Sequence, residues 1–355
     1  MSVFTRRDLL MLASLAPAGR AAAQLIGHSD GEWTIRGTDP IEFYRGDRRV
    51  TAYHSGMDAG LPYFDPIVGP SGKSFTAAAA PADPSATRDA ATIPSGLWFS
   101  LGNVNGCDFH PISPDADTNG KKRGRIIHRG MNGVLIKGSA IVIRVKSEWM
   151  ERDLPERRLC SDQREFTLFH REDGALVISA VIELMADAGD LEIGPEETGA
   201  WSMRLGPGLV WSEDDKNRRL TNSEGLAGSE TIGARADWLT CEGLDAGNLP
   251  GGVAILDHPE NPGFPARWTV ADPGLVSANP FAPRPAAAVG LPGEAGGGEP
   301  GTKGPTFRLR ARAGQQDVPR TVRNGESVVF RYRTIFFSGK AEAAQVPQAF
   351  DRFAE

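Results

Sequence analysis

Residues 96–110 read Gly-Leu-Trp-Phe-Ser-Leu-Gly-Asn-Val-Asn-Gly-Cys-Asp-Phe-His. Asp108 and His110 are types that can serve as general acid and base. Asn105 offers an amide that reads hydroxyls, and Trp98 a face on which a sugar ring stacks. The alternation expected of a strand breaks at Gly102 and Gly106, where the backbone can take positive φ or approach a neighbour closely. Beyond a basic turn at 121–125, His128 follows. If the two strands pair, Asn105, Asp108, His110 and His128 converge. The structural alternative is a glycine-bearing turn with an Asx-type hydrogen bond and buried aromatics.

Three further runs carry candidates. In 256–268, a strand delivers Asp257 and His258 into a proline-rich loop with Asn261 and Trp268. Asp257 and His258 are adjacent, so on a strand they point to opposite faces, and Asn261 can equally cap the turn. In 268–281, Asp272 precedes Pro273-Gly274, which is turn chemistry, and Asn279 precedes Pro280. In 194–204, Glu196 and Glu197 could bind a cation or act as acids, but an exposed acidic loop is the commoner reading, whereas Arg204 lies on a strand and can hold a carboxylate. The acid/base candidates are Asp108, His128, His258 and Asp272. The ligand-positioning candidates are Trp98, Asn105, Arg204, Asn261, Trp268 and Asn279. There is no metal-ligand spacing, no phosphate-cradling glycine loop after a strand and no nucleophile elbow, so no metal or cofactor is expected.

These side chains need strands to hold them. Residues 141–149, 164–170 and 327–337 read as strands, and 176–184 as a strand buried on both faces. Glu172-Asp173-Gly174 predicts a hairpin between two of them. Helical periodicity is weak outside the N-terminus and the last dozen residues. With 42 glycines and 26 prolines in 355 residues, the composition favours a turn-rich β protein. The expected fold is all-β, a large antiparallel β-sandwich of the extended type seen in sugar mutarotases. One domain is expected over 24–355, with a flexible glycine- and proline-rich insertion near 282–305. A net charge of −6 without a basic face argues against a nucleic-acid partner. Cys107, Cys160 and Cys241 allow at most one disulfide, and three buried or unpaired thiols is the preferred reading.

The first 23 residues read as a signal peptide. Arg6-Arg7 precede a short apolar run, and Ala21-Ala22-Ala23 form a cleavage site before Gln24. The arginine pair points to twin-arginine export, so the expected location is the periplasm or outside the cell. The apolar run is too short to span a bilayer, and no later segment does so.

Leu97-Trp98-Phe99, Val104-Asn105-Gly106, Asp108-Phe109 and Gly124-Arg125-Ile126 with His128-Arg129 resemble a bacterial family of unknown function labelled PmoA-like, or "methane oxygenase PmoA". Asp257-His258-Pro259, Asn261-Pro262, Trp268, Asp272, Gly274-Leu275, Ala278-Asn279-Pro280-Phe281 and Phe330-Arg331-Tyr332-Arg333 continue the resemblance across most of the chain. It implies an exported β-sandwich similar to carbohydrate-active proteins, with a small-molecule carbohydrate or glycoside as ligand. The family pattern carries His-His-Arg where this chain has Ile93-Pro94-Ser95. It carries Gly-Asp-Thr-Lys-Glu at Gly194–Thr198 and Trp-His-Val-Arg-Asp at Trp268–Asp272. Scaffold residues persist while titratable ones are replaced. Two readings therefore stand side by side: a protein acting on a carbohydrate, and a catalytically degenerate relative that only binds one. A copper-dependent oxygenase, as the label states, is a third and distant reading.

Overall fold

The computed structural model describes residues 33–57, 59–77, 96–110, 120–152, 157–196, 198–271, 274–282 and 320–355. The expected signal peptide (1–23), Asp272, residues 93–95 and, apart from Ala282, the expected insertion near 282–305 lie outside them.

Strand succeeds strand because apolar side chains recur every second residue, and that period buries one face of an extended chain. The strands are β1 (Trp33–Arg36), β2 (Ile41–Arg45), β3 (Arg48–His54), β4 (Tyr63–Ile67), β5 (Gly96–Phe99) and β6 (Cys107–Asp108). There follow β7 (Lys122–Lys137), β8 (Ala140–Glu151), β9 (Arg158–His170), β10 (Leu176–Met185), β11 (Leu191–Ile193) and β12 (Trp201–Arg204). The remainder are β13 (Arg219–Asn222), β14 (Trp238–Leu244), β15 (Pro250–Asp257), β16 (Arg267–Ala271), β17 (Leu275–Asn279), β18 (Arg320–Val322) and β19 (Ser327–Ser338), before helix α1 (Val346–Ala354).

They form a β-sandwich. An eight-stranded antiparallel sheet runs β1-β2-β3-β4-β5-β12-β17-β16. A nine-stranded sheet runs β13-β14-β15-β19-β10-β9-β8-β7-β6, antiparallel except for the short parallel pair β6–β7. β11 and β18 pair separately. Aromatics weld the two large sheets. Trp201 stacks on Tyr332 with ring centroids 5.7 Å apart and donates its indole N–H to Thr334 Oγ1 at 2.9 Å. Phe64 meets Phe166 edge-on at 4.9 Å, and Phe99 meets Phe330 at 5.2 Å.

The hairpin at 172–174 forms, with Asp173 Oδ1 accepting the Ala175 N–H at 3.0 Å. β10 corrects one expectation. Its first residues are buried on both faces, but further along it alternates, and Val181 is exposed. The cause is α1, whose Val346, Ala349, Phe350 and Phe353 pack with Val177, Leu256 and Ile335 on the outer face of the nine-stranded sheet. The helix is too short to cover more. Cys107, Cys160 and Cys241 are separate buried thiols. No helix among the described residues is long and apolar enough to cross a membrane.

Candidate functional site

Strand alternation sorts the polar residues of the eight-stranded sheet. Phe99, Trp201 and Leu97 point into the sandwich, so their neighbours point to the opposite face. There, cross-strand pairing sets Trp98 opposite Ser202, Ser202 opposite Ser277, and Ser277 opposite Thr269. The Ser202 and Ser277 hydroxyls are 2.9 Å apart. The next row sets Gly96 opposite Arg204, and Arg204 opposite Leu275. Only glycine fits at position 96: its φ is +96°, and an added Cβ would fall 1.9 Å from the Phe64 carbonyl oxygen.

This face is closed at one end and open at the other. Ser100 and Asn279 are fully buried, Trp98 is 3% exposed, Arg204 is half-buried and Ala271 is exposed. At the open end, Arg204 has no acidic partner among the described residues, and its Nε is unpartnered. Burial alone lowers its pKa. The buried indole N–H of Trp98 also lacks an acceptor among the described residues.

At the closed end, Ser100 Oγ lies 2.8 Å from His110 Nδ1. His110 Nε2 lies 2.9 Å from the Thr198 carbonyl oxygen and 3.2 Å from Glu196 Oε2. The Gly102 N–H donates to the same carboxylate oxygen, while Glu196 Oε1 is buried without a donor among the described residues. Asp108 Oδ1 accepts the His110 backbone N–H at 2.8 Å, and Asn279 Nδ2 donates to the Glu196 carbonyl oxygen at 3.0 Å. Burial works against charge on both His110 and Glu196. His110 is nonetheless raised because the Glu196 carboxylate faces it, and Glu196 is raised by burial itself. The pair therefore holds a proton to higher pH than an exposed carboxylate.

The other candidates lie elsewhere. Asn105 and Gly106, both with positive φ, make the tight turn between Val104 and Cys107. Asn105 Oδ1 accepts the Glu192 N–H at 2.7 Å and its amide donates to the Asp190 carbonyl, so this side chain ties the turn to β11. His128 does not join Asp108. Its Nδ1 lies 3.2 Å from the Tyr53 hydroxyl, and burial lowers its pKa. His258 Nδ1 accepts the Glu260 N–H at 3.1 Å, and its ring packs edge-on against Phe353 of α1. Burial, then Arg331, lowers its pKa.

Asn261 donates to Asp257 Oδ1 and to the Arg331 carbonyl and accepts the Arg331 N–H, each at 2.6 Å. It pins the proline loop to β19. Trp268 is buried and donates to the Ala236 carbonyl at 2.9 Å. Of the described candidates, then, Trp98 and Arg204 share the polar face, and Asp108 and Asn279 support its closed end.

Ser100, Ser202, Ser277 and Glu196 were missed as site residues. Glu196 reads as a solvated loop acid, yet it is buried. The serines carry a weak signal, since Trp201-Ser202-Met203-Arg204 alternates strictly, but partner strands cannot be read from it.

A comparison with protein families decides the kinship. The model of a family of unknown function, DUF6807, matches residues 40–351. The chain belongs to DUF6807. The matched DUF6807 segment spans β2 to α1 and includes the whole polar face and its closed end. No curated protein matches the chain.

Proposed function

We propose that this DUF6807 member is an exported protein that binds a carbohydrate or glycoside on the polar face of its eight-stranded sheet. The carrying observation is the arrangement of Trp98, Ser202, Ser277 and Arg204. The buried Trp98, whose indole N–H has no acceptor among the described residues, sits beside the buried, mutually bonded Ser202 and Ser277 hydroxyls, and the half-buried Arg204, without an acidic partner among the described residues, stands where the face opens. Sugar sites combine an apolar surface with a few convergent polar groups in this way. The PmoA-like resemblance supports the same ligand class, and the arginine pair at Arg6-Arg7 supports export.

Binding is favoured over multi-residue acid/base catalysis because Asp108, His128 and His258 lie in three separate places, each with its own partners. Thr269 and Ala271 lie along this face where the PmoA-like pattern carries His and Arg, which removes titratable groups from it.

Glycan-array screening of the purified chain, followed by calorimetry, tests the proposal. One or more glycans should bind, and Trp98→Phe should weaken them without a large change in thermal melting. A chain that binds no glycan ends the reading.

A second reading, turnover of the bound sugar, rests on Glu196 Oε1, a buried carboxylate oxygen beside His110 without a donor among the described residues. Product analysis by NMR, with His110→Asn and Glu196→Gln, separates the two. Copper analysis of the purified chain tests the oxygenase reading carried by the label.

A further inference from the structure

We infer that the ligand of the polar face is an acidic sugar, whose carboxylate docks on Arg204 at the open end. This rests on the carbohydrate reading above and specifies its substrate class. Most arginines with half-buried side chains here are engaged. Arg144 meets Glu165 at 2.7 Å, Arg158 meets Asp187 at 2.7 Å and Arg218 meets Asp215 at 2.9 Å. Arg204 has no such partner among the described residues, although burial already works against its charge.

A guanidinium withdrawn from water without a counter-ion is costly, and an incoming anion relieves that cost. The fork of N–H donors matches a carboxylate bidentately. The placement suits an entering group. Arg204 lies one row from Ser202, on the side where burial falls away toward Leu275 and Ala271. Gly96, directly opposite, contributes no side chain to block the approach.

The groups behind Arg204 are suited to a sugar ring rather than to a second charge. Trp98 has an indole N–H with no acceptor among the described residues. Ser202 donates to the Gly199 carbonyl and lies 2.9 Å from Ser277 Oγ, so the two buried hydroxyls offer an incoming group only lone pairs. None of these three carries a charge. One acidic group at the rim with neutral hydroxyls behind it describes a uronic acid unit.

The test is calorimetry on the full chain with glucuronate- and galacturonate-containing oligosaccharides and their methyl esters, in which a methyl group replaces the carboxylate charge. The free acids should bind about tenfold or more tightly than the esters. Arg204→Gln should abolish that preference, and Arg204→Lys should retain part of it, with thermal melting showing each variant folded. If esters or neutral glycans bind as tightly as acids, or if Arg204→Gln leaves the preference intact, this inference fails while the carbohydrate reading stands. If no glycan of either kind binds, both fail.

Discussion

His110 and Glu196, 86 residues apart in the chain, meet at 3.2 Å at the closed end of the polar face. The contact depends on Gly102. A Cβ there would lie 2.5 Å from Glu196 Oε2 and 2.8 Å from His110 Cδ2. Gly102→Ala should therefore separate the pair and destabilise the fold by ~1–3 kcal/mol, the usual range for overpacking a closed site. Chemical denaturation measures it, and an unchanged midpoint would contradict the close packing described.

Asp257 makes stability depend on pH. Burial pushes its carboxyl from 3.8 up to about 7, although donors from Asn261 and Ala266 pull the other way. The folded chain keeps this proton where the unfolded chain has lost it, so stability declines as pH rises from about 4 to about 7. Urea melts at pH 5 and pH 8 should show the loss. Asp257→Asn should remove ~1–3 kcal/mol of the difference between the two pH values. An equal difference in variant and wild type would show that Asp257 is ionised throughout.

Asn261 is a structural clasp. Asn261→Ala removes its three hydrogen bonds to Asp257 and Arg331 and leaves the Arg331 N–H without its acceptor. The expected cost is ~2–4 kcal/mol. Glycan affinity, measured under conditions where the variant is folded, should stay the same. A selective loss of binding would instead place Asn261 at the ligand.

Arg164 and Asp162 form an ion pair at 2.6 Å between the sheets, with both side chains essentially excluded from water. Trp149 also donates to Asp162 Oδ2 at 2.7 Å. Arg164→Met strands the carboxylate in the core and should cost ~3–5 kcal/mol. Adding Asp162→Asn should recover part of that loss, because no uncompensated charge then remains. Melting of the single and double variants checks both statements.

Much of the scaffold was legible in the chain. The strand-like runs 141–149, 164–170 and 327–337 became β8, β9 and β19, and Asp173-Gly174 turned where turn chemistry required. The polar cluster at 96–110 was legible as a place where the backbone bends. Its members' roles were not. Asn105 reaches β11, Asp108 braces the backbone of His110 at the closed end of the polar face, and Trp98 lies on that face itself.

Composition and alternation by themselves determined an all-β chain, several of its longer strands, the turn at 172–174 and which residues of each such strand share a side. These depend on interactions between near neighbours. Tertiary structure alone decided that β5, β12 and β17 lie side by side, and so that Trp98, Ser202, Ser277 and Arg204 share one face. Strand register over such separations is set by the packing of the whole sandwich. It likewise decided that Glu196 is buried against His110 while Arg204 has no acidic partner among the described residues, because desolvation is a property of what surrounds a group and not of the group itself.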